Sequence, residues 1–191
     1  MNLPNKLTML RVLLVPVFMV FAAFGKYGTA DYNATCMLVA GIVFAVASFT
    51  DFLDGYLARK YHLVTDFGKF MDPLADKCLT TAAFIYMVAD GICSPVVLAI
   101  ILFREFAVAG VRMIAAESGT VIAANMWGKV KTVLQMLTII FYYFAAALSG
   151  PTDVMGVGLI TVVLTWLVAA ATLLSGGIYL WQNRSCFMQA K

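Results

Sequence analysis

The sequence predicts an all-α, polytopic membrane protein: a bundle of six transmembrane helices with an N-terminal interfacial segment. Three observations predict it. Hydrophobic residues make up 63% of the chain and charged residues 12%, about half the charge fraction of a soluble domain. Apolar stretches long enough to cross a bilayer recur six times between short polar breaks. Lysine and arginine gather at alternate breaks. Six spans use up the 191 residues, so residues 1–191 read as one membrane domain with no separate soluble unit.

The first apolar run covers 7–25. Asn2 to Arg11 precede or open it, with Pro4 near an amphipathic helix start and Lys6 and Arg11 suited to the lipid surface. Ala23-Phe24-Gly25 resembles a signal-peptidase triplet, but Pro16 interrupts the run and more spans follow. An uncleaved first helix is the better reading. The second run, 34–60, follows the polar stretch from Lys26 to Asn33. A turn from Tyr61 to Asp66 leads to the third, 67–89, with Asp66 as a helix-start residue. Asp90-Gly91 separates it from the fourth, 92–116. The fifth, 125–148, follows Glu117 to Ala124. The sixth, 154–182, follows Ser149-Gly150-Pro151. Its small residues, Ala169 to Ala171 and Ser175 to Gly177, suit close packing against a neighbouring helix or a second subunit.

With the N-terminus in the cytoplasm, Lys6, Arg11, Arg59, Lys60, Lys69, Lys129, Lys131, Arg184 and Lys191 all fall on the inner side. Lys26 is the one clear basic residue outside. The expectation is a multi-pass protein of the cytoplasmic membrane with both termini inside. Cys36, Cys78, Cys93 and Cys186 form no CxxC pair and read as small free-thiol hydrophobes. A lone His62 makes no metal cluster. No basic stripe suits nucleic acid.

Five aspartates lie between Asp51 and Asp76 in this apolar chain. At about 100° per residue, Asp51, Asp54, Gly55 and Ala58 share one face of the second helix, and Gly68, Asp72 and Asp76 one face of the third. The short turn makes the two helices antiparallel neighbours whose acidic faces meet near the inner interface. Unpartnered, four carboxylates would cost on the order of 10 kcal/mol in a membrane. Oxygen-only donors suit Mg²⁺ or Mn²⁺, and two such ions clamp a diphosphate well. Gly55, Ala58 and Gly68 leave room for a ligand, and Arg59 can pair with a phosphate. Aspartates paired with Arg59, Lys69 and Lys77 as helix glue are the plain alternative. A membrane cation transporter is another, although its acids belong nearer the midplane.

The pattern Asp51-x-x-Asp54-Gly55-x-x-Ala58-Arg59, eight residues, then Gly68-x-x-x-Asp72-x-x-x-Asp76 resembles the signature of the CDP-alcohol phosphotransferases, with every position present. The resemblance implies a six-helix enzyme, commonly a homodimer, that moves a phosphatidyl-type group from a CDP-linked donor to an alcohol and releases CMP. It implies a metal site of Asp51, Asp54, Asp72 and Asp76, with Asp76 also the base on the acceptor hydroxyl. Gly55, Ala58, Arg59 and Gly68 would hold the CDP portion, and Asn5 and Thr8 would reach the nucleotide or its metal. Asn5 and Thr8 also fit a plain interfacial anchor.

Two further stretches bear on the acceptor. Arg104 and Arg112 lie two turns apart on one face of the fourth helix, and Arg104 is deep enough to need a partner, Glu105 or an anion. Lys129 and Lys131 point about 200° apart, so both hardly face one ligand. Bases converging beside the acidic site would hold a phosphate on the acceptor, against the plainer reading of positive-inside decoration. These stretches, with the N-terminal one, are similar to the branch of the family that makes phosphatidylglycerophosphate. The resemblance then implies CDP-diacylglycerol and sn-glycerol 3-phosphate as substrates. Arg104, Arg112, Lys129, Lys131 and Arg184 are the candidates for the acceptor phosphate. Inositol phosphate or serine as acceptor is the alternative within the family.

Overall fold

Six helices carry the chain: α1 (Leu3–Gly25), α2 (Ala34–Lys60), α3 (Asp66–Ala89), α4 (Pro95–Glu117), α5 (Met126–Ser149) and α6 (Val154–Gln182). The computed structural model describes residues 3–60, 66–117, 126–149 and 154–184. The all-helical expectation holds, and every helix starts and ends within a few residues of its predicted span. Asp66 opens α3 as read from the sequence.

All six are long enough to cross a hydrocarbon core at 1.5 Å per residue. Four are also apolar enough to do so alone: Leu7–Gly25, Ala34–Asp51, Met126–Ser149 and Gly156–Gln182. The other two helices carry the charges of the candidate site, Asp76 and Lys77 on α3 and Arg104, Glu105 and Arg112 on α4. The bundle and its ion pairs hold these in place.

Among the described residues, α1 packs against both α2 and α3, more extensively than those two pack on each other. The side chains at the ends of α2 and α3 where the signature sets the two acidic faces lie mostly outside the described residues. Arg11 ties α1 to α2. Expected at the lipid surface, it is fully buried, and its guanidinium needs the anion that α2 supplies. Beyond this, α2 packs on α5, α5 on α6, and α6 on α4.

The core is aromatic. Phe18 of α1 meets Phe44 of α2 and the edge of Tyr143 of α5 at 6.0 and 5.3 Å between ring centroids, geometries that match opposed ring quadrupoles. Helical threonines are satisfied locally: the hydroxyls of Thr138, Thr161 and Thr172 each donate to the carbonyl four residues back. These three hydroxyls are then not left bare against apolar surroundings.

At the end remote from the aspartates, α3 stops at a left-handed glycine. Gly91 has φ 73°, and the amides of Ile92 and Cys93 both donate to the Met87 carbonyl at 3.0 Å, closing the helix end. In this turn Asp90 accepts a hydrogen bond from the Tyr142 hydroxyl at 2.5 Å. Tyr142 in turn packs edge-on against Tyr27. Burial pushes the Asp90 carboxyl up to about 6, although the Tyr142 hydrogen bond pulls the other way. Cys36, Cys78 and Cys93 are free thiols, as expected of small hydrophobes.

Part of the small-residue run of α6 packs inside the chain. Ala169, Ser175 and Gly176 face inward, while Ala170 and Gly177 are exposed. A Cβ on Gly176 would sit 2.9 Å from Cγ of Arg104, so α4 and α6 approach closely only because that position is bare.

Candidate active site

The acidic end begins on α1. Thr8 and Arg11 are three apart, one helical turn, and both are buried. Arg11 Nη1 lies 2.8 Å from Asp51 Oδ1, and its Nε donates to the Ala47 carbonyl at 3.4 Å. A cation thus reaches the acidic cluster from a third helix. Asp76 stands half-buried on α3. Its carboxylate feels the like charges of Asp51 and Glu105 and the opposite charges of Arg11 and Lys131.

The side chains of Asn5, Asp54, Gly55, Ala58, Arg59, Gly68 and Asp72 lie outside the described residues. Among the described residues no three acidic, histidine or cysteine side chains converge as a metal site. The two aspartates that are described fit a divalent cation by donor type. They are carboxylates that repel each other, and among the described residues no acid, histidine or cysteine cluster competes with them.

Asp76 opens onto a small cavity of about 80 Å³ whose lining includes Thr80, Lys77, Glu105, Lys131, Thr132 and Gln135. Lys77, Glu105 and Thr132 also line a larger cavity of about 570 Å³. That second space is cationic: Lys77, Arg104, Arg112 and Lys129 surround it, with Glu105, Gly128 and Tyr179. The acidic site and the basic cavity therefore share a wall.

Each basic side chain has a reason for its place. Arg104 Nη1 donates to Glu105 Oε1 at 3.0 Å, the partner its depth demanded. Its guanidinium threads between two bare positions, since a Cβ on Gly128 would lie 3.3 Å from Nη2 and one on Gly176 would meet Cγ. Arg104 Nε is buried, and no acceptor among the described residues meets it. An orphaned buried donor is expensive unless a ligand satisfies it. Arg112 Nε donates to the Tyr179 hydroxyl at 3.3 Å, with the guanidinium over that ring. Lys131 is buried and donates to Glu105 Oε1. Lys129 is exposed on the cavity wall. The two lysines diverge, as their angular separation predicts.

Of the candidates, the structure gathers Arg104, Arg112 and Lys129 around one cavity and sets Lys131 beside Asp76 in the other. It leaves Arg184 apart, stacked 4.7 Å over the Trp181 ring and outside the lining of the cationic cavity. Three participants escaped the sequence reading: Arg11 as partner of Asp51, Lys77 as a wall of the cavity, and Glu105 as a hub. The clue to Glu105 is an acid in the middle of an apolar helix beside Arg104, and to Arg11 its position one turn beyond Thr8.

The family model for CDP-alcohol phosphatidyltransferase matches residues 1–174. A CDP-diacylglycerol–glycerol-3-phosphate 3-phosphatidyltransferase of Bacillus subtilis (strain 168) is 46% identical over 143 residues, covering 72% of this chain and 74% of the relative. The Rickettsia felis protein of the same description is 34% identical over 180 residues, 93% of each chain. A probable phosphatidylglycerophosphate synthase of Mycobacterium tuberculosis (strain H37Rv) is 40% identical over 156 residues, 82% of this chain and 71% of the relative. The paired aspartates, the cationic cavity beside them and a family match over most of the sequence lead to one conclusion: this chain is a membrane protein of the CDP-alcohol phosphatidyltransferase family.

Proposed function

We propose that this protein transfers the phosphatidyl group of CDP-diacylglycerol to sn-glycerol 3-phosphate, giving phosphatidylglycerophosphate and CMP. The carrying observation is the shared wall. A phosphate anchored among Arg104, Arg112, Lys129 and Lys77 leaves the rest of a three-carbon acceptor to reach toward Asp76 through the space beyond Glu105. The relatives' names support the same substrates. Serine, which has no phosphate, would leave these bases without a use.

An alcohol is a weak nucleophile near neutral pH. Asp76 takes the proton of the acceptor hydroxyl as its oxygen attacks the β-phosphorus, an assistance worth about 10²–10⁴-fold. The bond from β-phosphorus to the bridging oxygen breaks, and CMP leaves with the electron pair. Asp51, Asp54, Asp72 and Asp76 would hold Mg²⁺ or Mn²⁺, two ions in this reading, and the bound metal would neutralise the diphosphate and the departing charge. Arg11 holds Asp51 against α1. Asn5, Thr8, Gly55, Ala58, Arg59 and Gly68 belong to the CDP side of the site.

The reading also places the cleft and both termini on the cytoplasmic side, on the strength of the lysine and arginine asymmetry. It includes a homodimer, as the resemblance implies. The test uses purified protein with CDP-diacylglycerol and a panel of glycerol 3-phosphate, inositol phosphate and serine, with and without chelator. CMP release only with glycerol 3-phosphate and free divalent metal is expected. Release with inositol phosphate or serine and none with glycerol 3-phosphate would overturn the acceptor.

A further inference from the structure

An acid inside an anion-binding cavity weakens the pull on an incoming phosphate, so Glu105 needs an explanation. Its carboxylate touches three cations from three helices. Lys131 of α5 and Arg104 of α4 both donate to Oε1, and Lys77 of α3 lies 3.8 Å from Oε2. Lys131 is 2% exposed and Arg104 12%. Lys77 is 40% exposed, but Lys131 and Arg104 are shielded from water and repel each other unless an anion sits between them. Glu105 also stands in the wall common to both cavities.

We propose that Glu105 is a positioning residue for the acceptor: it holds Lys131 beside Asp76 while fixing Arg104 in the wall of the basic cavity. The inference rests on the acceptor reading above and deepens it. Binding a small anion costs the ordering of flexible cationic side chains. Here that ordering is done beforehand, because Arg104 is clamped by Glu105 at one nitrogen and by Gly128 and Gly176 along its length. The acceptor phosphate meets a preset fork, and its hydroxyl meets Asp76 with Lys131 alongside. An uncompensated Lys131 would instead swing away from the other cations.

The test measures KM for donor and acceptor in Glu105→Gln, Glu105→Asp, Lys131→Gln and the Glu105→Gln/Lys131→Gln double variant, beside the wild type. Glu105→Gln should raise the acceptor KM at least tenfold and leave the donor KM within about twofold. Glu105→Asp, which keeps the charge, should recover most of the loss. The double variant should lose less than the product of the two single losses, since both changes break one unit. An unchanged acceptor KM in Glu105→Gln would overturn the proposal. So would equal rises in both KM values with no recovery in Glu105→Asp, or losses that multiply in the double variant. If Glu105→Gln does not fold, the Glu105→Asp and Lys131→Gln pair decides by the same split between acceptor and donor. A wild type that ignores glycerol 3-phosphate but uses another phosphorylated alcohol defeats the acceptor reading alone, and the same variants are then judged on that alcohol. A wild type that uses only an unphosphorylated alcohol defeats both.

Discussion

A guanidinium with no exposed surface has to end on an anion, and Arg11 ends on Asp51. Removing it strands a carboxylate that is still one-third exposed. Arg11→Met should therefore cost about 1.5–3 kcal/mol, the range for a hydrogen bond to a charged group, read from the thermal midpoint in detergent. It should also lower activity by loosening Asp51. Asp76→Asn should behave differently. It removes the base and keeps the shape, so turnover should fall by about 10²–10⁴-fold while CDP-diacylglycerol still binds. Near-normal turnover in that variant would remove Asp76 from the chemistry. Sequence reasoning reached Asp51 and Asp76 because acids in an apolar chain are conspicuous. Arg11 was read as a lipid-surface residue because a base near a helix start commonly is one, and only the packing of α1 against α2 shows otherwise.

Two helix contacts carry predictions of their own. The first is α4 on α6, where Gly176 leaves room for Arg104. Gly176→Val should destabilise by about 1–3 kcal/mol through overpacking. It should also raise the acceptor KM, because the side chain that must move is Arg104. A variant with normal stability and KM would mean that the close approach has no role. The second is the α3–α4 turn against α5, where Asp90 meets Tyr142. The Asp90 carboxyl is raised to about 6 from 3.8, chiefly by burial. A raised carboxyl binds its proton more tightly in the folded state. Its stabilising contribution is complete below about pH 4 and is lost as pH rises through about 6. The thermal midpoint should fall across that window in the wild type and stay flatter in Asp90→Asn. Equal slopes would contradict the burial of this carboxyl. Helix positions were legible from hydropathy and breaks, because a bilayer demands long apolar runs. The extent to which α1 packs on both α2 and α3 was not, since no local pattern announces a contact between distant segments.

The whole molecule sets two opposite fields side by side, Asp76 on one cavity and four bases around a larger one that shares Lys77, Glu105 and Thr132 with it. The acidic half was readable as a motif at fixed spacing within 26 positions. The basic half comes from α3, α4 and α5, so no local spacing announces it, and the places of Lys77 in the cavity wall and of Glu105 among three cations became visible only when the helices were assembled. Arg184, drawn toward the acceptor by charge alone, stacks on Trp181 instead. The division of labour predicts that chelator abolishes CMP release and that Mg²⁺ or Mn²⁺ restores it; full activity in chelator would remove metal from the account. The most direct measurement is a structure of the purified protein with CMP, Mn²⁺ and glycerol 3-phosphate. The account predicts the acceptor phosphate against Arg104 and Arg112, with its free hydroxyl toward Asp76. A phosphate bound elsewhere, with the Arg104 cavity holding only water, would contradict it.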